Sequence, residues 1–249
     1  MAEESKAAAR SGGFRCVHCG GKVEELFYRI GQDICLSQCT LCGQVADHYI
    51  EFEALLVFID MQLLRPEVYR HLLFNRFKDS GLRREAWRFL LLGLLLDTYH
   101  RWFCLPEVAV AGFAGSQSRS DWPVLGATVV ETVVYLLTLS FAALSFEGCR
   151  PSRKWRVEAH LNIWEAVSIS SFGKIFGLVG PIWGSASSHA MADAMDVALA
   201  LFVAASNVLA VQMVLGDAQS NCRWAAAMAV AAGHAGRYGA KLFLTPLSV

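Results

Sequence analysis

The apolar and polar positions of this chain divide it into three stretches. Residues 14–46 are mostly polar, with apolar residues scattered singly or in pairs. Lys22–Ile30 (KVEELFYRI) alternates loosely, which predicts a short strand. An apolar run follows from Ala54 to Leu64, interrupted by Asp60 and ended by Pro66. Its eleven residues are too few for a spanning helix, which needs ~20. Beyond Pro66, Val68, Leu72 and Leu73 share one helical face, and Arg70, His71 and Arg76 take polar positions. This predicts a helix lying in a membrane interface, or a re-entrant pair, over 47–80, with Arg70 and Arg76 toward anionic head groups and Leu72, Leu73 and Phe74 in the interface. An amphipathic helix packed on the preceding domain is the alternative. From position 88 the pattern becomes long apolar blocks, near 88–106, 124–146, 160–183 and 191–215, with a shorter alanine-rich block at 224–236. The prediction is four spans and a possible short fifth helix within a membrane domain of 81–249.

Basic residues between the blocks set a direction. Arg83, Arg84 and Arg88 precede the first block, and Arg150, Arg153, Lys154 and Arg156 follow the second. The positive-inside rule therefore puts the N-terminus and the 147–158 loop in the cytosol, and the 107–122 and 184–189 loops in the lumen. The first thirteen residues contain no apolar core of the kind a secretory signal needs, and read as a disordered tail. Charges fall inside the blocks, among them Asp97, Arg101, Glu131 and Lys174. Asp97 and Arg101 are spaced to pair along one helix face. Glu131 and Lys174 have no partner on their own helices, so they pair across helices or line a polar cavity. Gly173 and Gly177 form a GxxxG pattern suited to close helix packing.

Composition supports lipid as the solvent of the second half. Hydrophobic residues make up 55% and charged residues only 18%, and mean hydropathy is +0.38. Net charge is zero, so no global field attracts nucleic acid.

Five of the eight cysteines fall between 16 and 42. Cys16-Val-His-Cys19 and Cys39-Thr-Leu-Cys42 are two C-x2-C pairs with nineteen residues between them, each followed by glycine. That spacing suits a four-thiolate zinc site. Disulfides are the alternative, and they fit an oxidising compartment rather than the cytosol. The expected fold is thus a small N-terminal zinc ribbon over 14–46, followed by an all-α polytopic membrane domain. Four thiolates leave no open coordination position, so the Zn2+ is structural; it supplies stability that so small a core lacks. Cys35 and His18 are read as outside the ligand set.

The ribbon, then Tyr49-Ile50-Glu51-Phe52-Glu53, an apolar run, and Tyr69-Arg70-His71-Leu72-Leu73-Phe74-Asn75 resembles the Arv homology domain over 14–77. The resemblance implies a multi-pass protein of the endoplasmic-reticulum membrane. It implies action in sterol uptake, trafficking and distribution, with influence on sphingolipid metabolism and glycosylphosphatidylinositol-anchor assembly. It marks Tyr49, Glu51, Tyr69, Arg70, His71 and Asn75 as a surface for lipid or a partner. Sterols and other membrane lipids are the expected ligands, and lipid-synthesis enzymes of the same membrane the expected protein partners.

The chain carries no G-x-x-x-x-G-K-[ST] phosphate loop, no HExxH and no G-x-S-x-G elbow. No nucleophile, base and electrophile can be placed together, so a non-enzymatic lipid-handling protein is expected. A subunit supporting anchor glycolipid synthesis and a zinc-ribbon membrane scaffold are the alternatives.

Overall fold

A computed structural model describes residues 14–30, 33–76, 82–103, 122–146, 156–178, 189–216 and 220–244. The expected tail at 1–13 and most of the expected loops at 107–122, 147–158 and 184–189 lie outside these residues. The chain divides into two compact units, 1–82 and 83–249.

The first unit begins with two small antiparallel hairpins. β1 (Phe14–Arg15) pairs with β2 (Lys22–Val23), and β3 (Phe27–Ile30) with β4 (Asp33–Leu36). The predicted strand through KVEELFYRI is therefore two strands, broken at Glu24–Leu26, where the chain passes from one hairpin to the next. The hairpins share a core of Cys16, Val23, Leu26, Cys39 and Ala46, flanked by Phe14 and Ile50. A short 3-10 turn, His48–Ile50, leads to helix α1 (Ala54–Gln62). Leu64, in the left-handed region at φ 53°, reverses the chain. Helix α2 (Pro66–Arg70) starts on Pro66, whose ring suits a first helical turn, and widens into a π-helical segment, His71–Arg76.

The second unit is all helical among the described residues. Its helices are α3 (Leu82–Phe103), which begins at the boundary between the units, α4 (Trp122–Ser145), α5 (Arg156–Ser170) continued by a 3-10 segment Ser171–Leu178, α6 (His189–Leu215) and α7 (Ser220–Leu244). Two stretches, Val124–Ser145 and Asp193–Leu215, are long and apolar enough to cross a membrane. The others are long but carry charge: Asp97 and Arg101 in α3, Lys174 after α5, Arg237 in α7. The short fifth helix expected at 224–236 runs over 25 residues. Its many alanines and glycines understate its length on a hydropathy scale, yet they let it lie against α4. A Cβ on Gly233 would come within 2.9 Å of the Tyr135 ring, and one on Gly236 within 2.8 Å of Thr138. Gly173 and Gly177 do the same against α6, where a Cβ on Gly173 would come 2.7 Å from the Phe202 ring. The core of this unit is formed by Tyr135, Leu139, Ile163, Val167, Val211 and Ala229 with their neighbours. A polar junction joins three helices: Asn207 donates to the Tyr135 hydroxyl at 3.0 Å and accepts from Ser170 at 2.6 Å.

Candidate metal centre, its buried clamp and the charged helix cluster

The two C-x2-C segments fold into matching knuckles. In each, the amide of the closing glycine donates to the carbonyl of the first cysteine: Gly20 to Cys16 at 2.9 Å and Gly43 to Cys39 at 2.8 Å. Both glycines sit at φ 72°, where a side chain would be strained. The first cysteine of each knuckle also donates its own amide to a carbonyl five residues on, Gly21 or Gln44. The repetition turns four thiols toward one point. The Cys16 and Cys42 sulfurs are 3.7 Å apart, those of Cys19 and Cys39 3.6 Å, and all four lie within 4.8 Å of one another. A tetrahedral thiolate site with bonds of ~2.3 Å has edges of ~3.8 Å, so this cluster can hold a metal ion. The knuckle amides prepare the sulfurs unequally. Amides of Cys42 and Leu41 lower the Cys39 thiol to about 7, whereas burial pushes that of Cys16 up to about 12. Cys35 stands on β4, and His18 is exposed and stacks on His48 at 5.3 Å; neither belongs to the group of four.

Immediately after the knuckles lies a residue the sequence reading passed over. Asp47 is fully buried, at 0% exposure. One carboxylate oxygen accepts from the Tyr49 amide at 3.0 Å, capping the 3-10 turn. The other contacts His71 Nδ1 at 2.7 Å and accepts from Asn75 Nδ2 at 2.6 Å. Asn75 also accepts from the Arg15 amide and donates to the Arg15 carbonyl, both at 2.9 Å, so its side chain acts as an extra rung on β1. Arg70 donates to the Val17 carbonyl and, at 3.2 Å, to that of His18, inside the first knuckle. Tyr49 donates to Asp60 on α1 at 2.8 Å, and Tyr69 to the Met61 carbonyl at 3.4 Å. Burial and this bond to a carboxylate raise the Tyr49 phenol above its ordinary range.

These contacts correct the expected orientation of 69–75, whereas Arg76 is exposed, as expected. Arg70 is 8% exposed, and Leu72 and Leu73 are buried, so neither head groups nor lipid tails meet them. Tyr49, Tyr69, His71 and Asn75 are buried too, whereas Glu51 is exposed. Phe74 stacks beneath the Arg15 guanidinium at 4.2 Å. The π-helical widening brings His71 and Asn75 over the same Asp47 oxygen. Among the apolar residues left outside are those in and just after α1, while Ile30 and Ile34 of the second hairpin and Leu41 are exposed as well. Leu55, Leu56, Phe58, Ile59 and Leu63 are exposed, at 64% for Leu55, while Val57 and Met61 face inward.

In the second unit the four charges predicted within helices meet across helices. Asp97 and Arg101 do not pair with each other as their spacing suggests. Asp97 binds Lys174 at 2.8 Å and Arg237 at 3.2 Å, and Arg101 binds Glu131 at 2.5 Å. Arg237, absent from the sequence reading because it lies past the expected end of its helix, also approaches Glu131 at 3.6 Å.

The sequence profile of the Arv1-like family matches residues 15–211. "Protein arv1 homolog" of Dictyostelium discoideum is 27% identical over 217 residues, covering 80% of this chain and 84% of that one. "Protein ARV 1" of Arabidopsis thaliana is 33% identical over 173 residues, 68% of this chain and 67% of its own. "Protein ARV1" of Homo sapiens is 24% identical over 222 residues, 86% of this chain and 77% of its own. No solved structure matches the chain.

Proposed function

This chain belongs to the Arv1-like family, and we propose that it is a non-catalytic mediator of sterol homeostasis that works at the membrane surface. It acts in sterol uptake, trafficking and distribution from the endoplasmic-reticulum membrane, with sterols and neighbouring membrane lipids as its ligands. Its N-terminal unit lies in the cytosol, stabilised by one structural zinc ion. Four cysteine thiolates are a soft, closed donor set of the kind zinc occupies. The ion supplies folding free energy, and Cys16, Cys19, Cys39 and Cys42 hold it.

The observation that carries this reading is the exposed apolar face of α1. The clamp around Asp47 uses Arg70, His71 and Asn75 internally and leaves α1 to meet the bilayer. Burying a large apolar side chain is worth ~1.5–3 kcal/mol, so Leu55, Leu56, Phe58, Ile59 and Leu63 suffice to hold a tethered unit on a membrane.

The test is the full-length double variant Leu55→Glu, Ile59→Glu in cells lacking the native protein. Metal content and abundance should match wild type while sterol distribution is not restored. Full restoration would defeat the reading.

A further inference from the structure

The charged cluster of the second unit links five side chains from four chain segments. Lys174 and Arg237 share one oxygen of Asp97, and Arg237 and Arg101 share one oxygen of Glu131. The order is Lys174, Asp97, Arg237, Glu131, Arg101, so signs alternate and both ends are cations. Among the described residues of this cluster three cations meet two carboxylates, and one positive charge is left over. Outside the cluster, His100 lies 3.3 Å from Asp196, whose carboxylate is 52% exposed. A second observation points to a ligand. Glu131 is 1% exposed, and its other oxygen, Oε1, has no hydrogen-bond partner. A purely structural network would balance its charges and use its buried oxygens. Among the described residues, this one lacks an anion and a donor. The cations are not sealed in: the side chains of Lys174, Arg101 and Arg237 keep 19–29% of their surface.

We propose that this cluster binds the head group of a membrane phospholipid, with the phosphate between the cations and an amine or hydroxyl of the head group donating to Glu131 Oε1. Guanidinium and ammonium groups bind phosphate oxygens with charge-assisted bonds, which strengthen in a medium of low dielectric. The inference goes beyond sterol handling and rests only on this unit lying in a membrane.

The probe is phosphatidylethanolamine, which carries both a phosphate and an amine donor. Full-length protein in nanodiscs containing it would be released into mild detergent and its retained lipid counted by native mass spectrometry. Wild type should keep one phosphatidylethanolamine per chain and no diacylglycerol, which lacks the head group. Arg101→Gln with Lys174→Gln should lower the retained fraction tenfold or more. The charge-preserving Arg101→Lys should keep it. Glu131→Gln should reduce the preference for phosphatidylethanolamine over phosphatidic acid, which has no amine. Equal retention by wild type and the Gln double variant, at equal melting temperature, would overturn the proposal. If the double variant does not fold, wild type decides: equal retention of phosphatidylethanolamine and diacylglycerol overturns it. Displacement of the lipid by millimolar inorganic phosphate would show a site for free phosphate, and would overturn the lipid assignment.

Discussion

Replacing Asp47 by alanine tests whether the ribbon and the helices of the first unit form one cooperative body. Asp47 joins the Tyr49 amide, His71 and Asn75, and is itself fully buried. Alanine takes an acceptor from all three in a site closed to water, and Asn75 keeps only its bonds to Arg15. Each unsatisfied buried group costs ~1–3 kcal/mol. Part of this is offset because a buried carboxylate no longer has to be desolvated, so the net loss is about 3–5 kcal/mol. A unit of this size holds roughly 4–12 kcal/mol in all. Asp47→Ala should therefore remove about a quarter or more of its stability without touching a cysteine. Amide hydrogen exchange on the full-length protein in nanodiscs reads this directly. Protection should fall by about two to four orders of magnitude in β1 and in 66–76 together, because Asn75 binds both backbone groups of Arg15. Protection in α4 and α7 should not change. Asp47→Asn keeps an acceptor and should fall between the two. Exchange in β1 and 66–76 within threefold of wild type would refute the reasoning.

Four further outcomes follow. Cys16→Ser or Cys42→Ser should bring zinc, measured by elemental analysis of purified protein, from about one per chain to well below half, because the ion loses one of its four thiolates. Zinc affinity should fall as pH falls, since binding must displace thiol protons, with Cys16 protonated throughout the neutral range in the metal-free site; competition with a chromogenic chelator between pH 6 and 8 measures it, and a flat profile would argue against thiolate ligation. Arg70→Ala, which takes the guanidinium from the Val17 and His18 carbonyls, should lower abundance and zinc together, visible by quantitative blotting alongside metal analysis. Gly233→Val should cost about 1–3 kcal/mol by driving α7 off the Tyr135 and Leu139 side chains, seen as a lower melting temperature in detergent, whereas Gly126→Val has open space and should be neutral.

Some features needed only the sequence. Two C-x2-C pairs with trailing glycines specify two knuckles, because thiolate geometry and a left-handed glycine are local demands. Long apolar blocks likewise specify helices in the second half, because hydropathy and length are summed along the chain. What the tertiary structure decided concerns which groups meet. Arg70, His71 and Asn75 read as the polar face of a surface helix, since a one-dimensional pattern marks polarity without saying what satisfies it. Their partners, Asp47 and the carbonyls of Val17 and His18, lie 24 to 53 residues away. The exposed face of α1 was hidden in the same way, because an apolar run of eleven residues looks equally suited to a core. Asp97 and Arg101 show the converse. Their spacing satisfies a local pairing rule worth only ~0.2–0.5 kcal/mol, and cross-helix partners at 2.8 and 2.5 Å take precedence. Local order is set by interactions between residues a few positions apart, whereas burial and charge pairing are settled only when distant segments compete for the same donors and acceptors.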